Sequence, residues 1–194
     1  SLRAAASESL GVPADRLVFG NGADELMYAL ARALFRPRGS RSGDGVAAAP
    51  ASGVHAAIPV AIPVAIVEAP SYASYRAASE AAGFSVIQIP SPLPEPALNA
   101  ADAEPTAVAV PADRLGDALA ASPPGSVLWL GAPNNPTGLM PSGYPESATK
   151  LAGRFPDRFL VCDEAFIEFA DGADPRGASA QAARLPNLIV IRSM

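Results

Sequence analysis

The sequence predicts an α/β domain built on a mostly parallel sheet with helices on both faces. Three observations predict it. Segments with helical spacing alternate along the chain with short apolar runs. Runs such as Val127-Leu128-Trp129-Leu130 and Leu188-Ile189-Val190-Ile191 are apolar at nearly every position, as strands covered on both faces require. Polar and glycine-containing motifs follow directly on the runs, at the strand ends where such sheets bind ligands.

The elements read in order. Leu2 to Leu10 has helical spacing and closes at Gly11, with Pro13 beyond it. Leu17-Val18-Phe19 is a short apolar strand. The turn Gly20-Asn21-Gly22-Ala23-Asp24-Glu25 leads into a second helix carrying Leu26, Leu30, Ala31 and Leu34, which Pro37 and Gly39 end. Arg38 to Ala65 is rich in Gly, Ala, Ser and Pro, with the near-tandem Ala57-Ile58-Pro59-Val60-Ala61 and Ala61-Ile62-Pro63-Val64-Ala65; it reads as a disordered insertion at 38–65. A strand resumes over Ala65 to Glu68, a helix over Tyr72 to Ala82 and a strand over Phe84 to Ile89. The proline-rich stretch Ser91 to Pro111 reads as a loop. Then come a helix (Asp113 to Ala121), a strand (Val127 to Leu130), a helix (Ser147 to Phe155), a strand (Phe159 to Cys162), a short helix (Ala178 to Ala183) and a last strand (Leu188 to Ile191).

Composition narrows the function classes. The chain has 194 residues, 49% of them hydrophobic, enough for one domain core. Its formal charge is -5, from 14 basic and 19 acidic residues, and it holds no basic block, so nucleic acid is not an expected partner. A phosphorylated small molecule needs only a helix N-terminus or one arginine. Cys162 is the one cysteine, which excludes an internal disulfide framework and reads as a small core residue. His55 is the one histidine, so a multi-histidine metal site and a histidine-based triad lack partners. The apolar stretch Ala56 to Val67 carries Pro59 and Pro63 and cannot span a bilayer as a helix. The start of the chain has no export-signal pattern. A soluble protein in the reducing cytoplasm, with no membrane partner, is the expectation.

Four motifs carry candidate chemistry. Asp163 and Glu164 follow a buried strand, and a carboxylate there is costly unless paired. A protonated ring nitrogen would pair Asp163; a turn cap is the plainer alternative. The amides at the start of the helix after Gly22 would bind phosphate, or the turn is an ordinary helix start. Tyr72 and Tyr75 follow Pro70-Ser71, where an aromatic can stack on a flat heteroaromatic ring or fill a core. Asn134-Asn135-Pro136-Thr137-Gly138 follows a strand; Asn135, before proline, is pushed to an extended conformation that can aim its amide at a ligand oxygen.

Taken in order, and with the final run Asn187-Leu188-Ile189-Val190-Ile191-Arg192-Ser193-Met194 added, these motifs resemble one family. Gly20 to Glu25, Pro70 to Tyr75, Asn134 to Gly138 and Asp163-Glu164-Ala165-Phe166 are similar to the fold-type I pyridoxal-phosphate enzymes of aminotransferase class I/II. Within it they resemble the branch that holds histidinol-phosphate aminotransferase and threonine-phosphate decarboxylase. The resemblance implies the incomplete large domain of such an enzyme over residues 1–194, with pyridoxal 5'-phosphate as cofactor. It implies a phosphorylated amino acid or amine as substrate, transamination or decarboxylation as reaction, and a homodimer for the full-length enzyme. It implies that amides of Ala23 and Asp24 and the side chain of Ser193 hold the cofactor phosphate. Tyr72 would stack on the ring, Asn135 would bond the ring hydroxyl oxygen, and Asp163 would pair with the ring nitrogen.

The chain departs from that pattern in three places. Phe166 stands where many members have tyrosine, which favours the threonine-phosphate decarboxylase side. The 38–65 segment replaces a short connection. The family's Schiff-base lysine falls about two positions beyond Met194, and Lys150, the one lysine present, reads as a solvated surface residue. The expectation for this polypeptide is therefore no covalent cofactor and no turnover. The rival is a non-catalytic remnant or binding module that kept the scaffold. A nucleotide-binding Rossmann domain ranks last, because Gly20 and Gly22 lack the third glycine.

Overall fold

The computed structural model describes residues 1–35, 62–91, 109–172, 174 and 176–193. Five strands form one sheet: β1 (Val64–Ala69), β2 (Ser85–Pro90), β3 (Val127–Gly131), β4 (Phe159–Asp163) and β5 (Leu188–Ile191), in the order β2-β1-β3-β4-β5. Every neighbouring pair is parallel, so each connection has to cross over, and helices occupy the crossovers. The helices are α1 (Leu2–Leu10), α2 (Ala23–Leu34), α3 (Ala73–Ala82), α4 (Ala112–Ala121), α5 (Glu146–Arg154) and α6 (Ser179–Ala182). The α/β architecture expected from the sequence is the one the chain adopts.

Strand alternation divides the core into two layers. Ile66, Leu128, Leu130, Leu160 and Cys162 point to one face, against Leu115 and Leu119 of α4 and Leu151 of α5. Ala65, Val67, Val127, Trp129 and Val161 point to the other, against Met27 and Ala31 of α2 and Tyr75 and Ala78 of α3. Each fully buried large side chain stabilises the fold by about 1.5–3 kcal/mol relative to leaving it exposed. Parallel register sets Val67 beside Trp129, Trp129 beside Val161, and Val161 beside Ile189, so one row of side chains crosses four strands. Cys162 is buried as expected, and burial pushes its thiol up to about 12, far from the thiolate a nucleophile needs. Lys150 is exposed on α5.

Several elements differ from the sequence reading. Leu17-Val18-Phe19 joins no sheet among the described residues: Leu17 is extended (φ -102°, ψ 130°), but Val18 is 78% exposed. The Arg3 guanidinium donates to the carbonyls of Ala14 and Leu17, and at Leu17 it serves a backbone group that a neighbouring strand would otherwise satisfy. Most of the 38–65 segment lies outside the described residues, as does His55, but Val64 and Ala65 already belong to β1 and Ala65 is fully buried. Helix α2 stops at Leu34 with Phe35 as its cap, ahead of Pro37. The Ser91 to Pro111 stretch lies outside the described residues from 92 to 108, and its two ends are fixed. Glu68, 4% exposed, accepts from the Ser91 hydroxyl at 2.5 Å and the Val110 amide at 3.4 Å. Among the described residues no helix is long and apolar enough to cross a membrane.

Candidate active site

The order of the sheet reverses between β1 and β3: β2 lies outside β1, while β4 and β5 lie outside β3. The crevice beyond the carboxyl ends of two such strands is where parallel α/β sheets hold ligands. The segment after β1 carries Pro70, Ser71 and Tyr72, and the turn after β3 carries Asn134 to Gly138. Asn134, 2% exposed, ties them together. Its Nδ2 donates to the Pro70 carbonyl at 3.0 Å and to Thr137 Oγ1 at 2.9 Å. The turn closes on itself through Asn134 N to the Leu139 carbonyl (2.8 Å) and Gly138 N to the Asn134 carbonyl (2.7 Å). Gly131 is required by this fold-back, because a Cβ there would stand 2.6 Å from Asn134 Cα. Asn135 is half-buried in the same turn, ahead of a cis peptide bond to Pro136.

Asp163 ends β4, one strand further along, and is 8% exposed. Its Oδ1 accepts from the Ala165 amide at 3.1 Å, and its Oδ2 accepts from the Tyr75 hydroxyl at 2.7 Å. The turn-cap reading thus describes one oxygen only. Burial raises the carboxyl above the usual aspartate range; the Tyr75 and Ala165 hydrogen bonds draw it back, and the Asp24 charge adds to the rise. Burial and the Asp163 charge push the Tyr75 phenol well above its ordinary value, so it stays a proton donor.

Helix α2 enters the same corner. Gly22 is its N-cap, at φ 89°, and supplies no side-chain acceptor to the first amides of the helix, those of Ala23 and Asp24. The Asn21 amide donates to the Glu25 carboxylate. Tyr72, the N-cap of α3, donates its hydroxyl to Asp24 Oδ2 at 3.2 Å and meets the Tyr75 ring edge-on at 5.8 Å. Four expected residues therefore converge: Ala23, Asp24, Tyr72 and Asp163, linked through Tyr75. Ser193 is exposed, two residues past β5, the strand that pairs Ile191 with Asp163.

Of the two positions the sequence offers Tyr75, ring stacking or core, it occupies the core, and its hydroxyl bond to Asp163 belongs to neither. Asn134 and Glu164 stand in the candidate motifs, and Arg192 in the closing run, without a role of their own there. Glu164, 1% exposed, accepts from the Tyr144 hydroxyl, from the Ala178 amide at 2.6 Å and from Arg192 Nη1 at 3.0 Å. No local sequence signal marks these partners, which come together only in the fold.

The statistical profile of the aminotransferase class I and II family matches residues 21–194. The chain belongs to that family. Aminotransferases of class I and II depend on pyridoxal 5'-phosphate. A histidinol-phosphate aminotransferase of Shewanella amazonensis is 29% identical over 197 residues, covering 100% of this chain and 42% of that protein. The crystal structure of the histidinol-phosphate aminotransferase from Clostridium acetobutylicum matches at a TM-score of 0.62 and 20% identity, covering 100% of this chain and 44% of that one. The L-threonine-O-3-phosphate decarboxylase from Porphyromonas gingivalis matches at a TM-score of 0.61 and 19% identity, over 99% of this chain and 45% of that one. The chain thus spans less than half the length of these class I and II relatives.

Proposed function

We propose that this chain forms the cofactor-holding part of a pyridoxal-phosphate enzyme that acts on a phosphorylated amino acid or amine. The observation that carries the proposal is the buried Asp163 carboxylate at the carboxyl end of β4, next to the sheet crevice and joined through Tyr75 and Tyr72 to the start of α2, with the Asn134 to Gly138 turn at the crevice itself. The donor set fits the cofactor. Asp163 offers an acceptor to a protonated ring nitrogen, Tyr72 an aromatic face, and α2 two amides left uncapped by any side chain because its N-cap is Gly22.

Bound pyridoxal 5'-phosphate supplies an electron sink for a bond broken at the α-carbon of an amino substrate. The chain's residues would do the rest. Asp163 would keep a proton on the ring nitrogen. Asn135 would donate its amide to the ring hydroxyl oxygen, and Tyr72 would cover one ring face. Amides of Ala23 and Asp24, with the Ser193 hydroxyl, would hold the phosphate, where the helix dipole favours an anion. The names of the three relatives, two histidinol-phosphate aminotransferases and a threonine-phosphate decarboxylase, support that substrate class. Phe166, 47% exposed and three residues after Asp163, lacks a hydroxyl for the ring oxygen and favours the decarboxylase type of the two.

Equilibrium dialysis of the chain against pyridoxal 5'-phosphate tests the assignment. Asp163→Ala and Asn135→Ala should each weaken binding about tenfold or more, the cost of one hydrogen bond involving a charged group. Equal affinity in the parent chain and both variants would sink it.

A further inference from the structure

The Tyr75 hydroxyl has no place in the cofactor contacts above, yet it holds the central carboxylate of the site. Its own position is over-determined. The ring, 1% exposed, lies flat against Trp129, with centroids 5.4 Å apart and planes 9° apart. Trp129 Nε1 donates to Ser79 Oγ at 3.0 Å, and Ser79 Oγ donates to the Tyr75 carbonyl at 2.7 Å. Backbone, hydroxyl, indole and phenol thus form a closed circuit one helical turn long, anchored in β3. The phenol carries one proton, and it goes to Asp163 Oδ2 at 2.7 Å.

We propose that Tyr75 is a positioning residue for the cofactor site: held by Trp129 and Ser79, it fixes the rotation of the Asp163 carboxylate and stabilises its charged form for pairing with a cationic ring N–H. This deepens the function proposed above and rests on it. A carboxylate in so dry a position favours its neutral form, which would compete with the ring nitrogen for the proton. Two donors, Tyr75 and the Ala165 amide, oppose that tendency and leave lone pairs on both oxygens for a ligand. The Asp24 charge, from α2, opposes the charged form of Asp163, and the hydrogen bonds from Tyr75 and Ala165 favour it.

The test is a carboxyl-carbon NMR titration of Asp163 in the cofactor-free chain. Tyr75→Phe keeps the ring and its stack on Trp129, and should raise the Asp163 midpoint by about one to two pH units. A purely structural tyrosine would change the melting temperature and leave the midpoint where it was, and that result overturns the proposal. Should the phenylalanine variant fail to fold, the parent chain gives the same answer. The Tyr75 Cζ resonance should titrate with the midpoint of Asp163, and independence of the two overturns the coupling. Dialysis separates this idea from the reading beneath it. Tyr75→Phe should weaken pyridoxal 5'-phosphate binding about tenfold, the worth of one hydrogen bond to a charged group. If Asp163 shifts but the parent chain binds no pyridoxal 5'-phosphate, the cofactor reading fails, and the role of Tyr75 toward a cofactor fails with it.

Discussion

Glu164 and Arg192 form a buried ion pair, 3.0 Å between Oε2 and Nη1, that links the ends of two adjacent parallel strands. Their side chains are 0% and 12% exposed. The same carboxylate holds the Tyr144 hydroxyl and the Ala178 amide, and a Cβ at Gly177 would overlap it. One side chain therefore pins the ends of β4 and β5, the start of α6 and the turn before α5.

Arg192→Leu should cost about 3–5 kcal/mol, because it strands a buried carboxylate. Urea unfolding measures the loss. Burial already raises the Glu164 carboxyl, while Tyr144, Ala178 and Arg192 lower it, so removing Arg192 raises it further. A raised carboxyl contributes stability fully present below its unfolded value, about 4.3, and lost as pH rises through the folded value. The deficit of the variant should therefore be smaller near about pH 4 than at about pH 7.

Asn134→Ala should destabilise by about 1–3 kcal/mol, since it removes the two bonds from Nδ2 and leaves the Pro70 carbonyl without that donor. Cofactor affinity should fall with it, because the segment bearing Tyr72 and the turn bearing Asn135 lose their tie. Unchanged dialysis in a folded variant would contradict that link.

Asp163→Asn should make the cofactor-free chain more resistant to heat at neutral pH. The folded carboxyl is raised by burial, so its charge opposes folding above that value; the amide avoids this, keeping the bond from Tyr75 on its oxygen and giving up the one from the Ala165 amide. Melting curves should show the advantage at about pH 7 and its disappearance below about pH 4, where aspartate is protonated in the unfolded chain as well.

Lys150→Arg should leave the dissociation constant for pyridoxal 5'-phosphate unchanged, because the side chain is exposed on α5. A severalfold loss of affinity in dialysis would place Lys150 in the site and refute the surface assignment.

The parallel sheet was readable because β3, β5 and β4 as far as Cys162 are unbroken apolar runs, and at β1, β3 and β4 both faces of the sheet are in fact covered. The Asn134 to Gly138 turn and Asp163 were readable because unusual polar residues follow such runs. Leu17-Val18-Phe19 misled because an apolar triplet says nothing about a partner strand, and a guanidinium fills that role. The Tyr75 contact with Asp163 spans 88 positions and the Glu164 contact with Arg192 spans 28, and no local pattern encodes pairings at such separations.

Trp129 is the one tryptophan in the chain. It is fully buried and stacked on the tyrosine that grips Asp163. Its emission is therefore a built-in optical probe, with a single source that touches the residue gripping the proposed partner of the ring nitrogen. Any ligand that disturbs Asp163 or Tyr75 can be followed by light, without a label, in the unmodified protein.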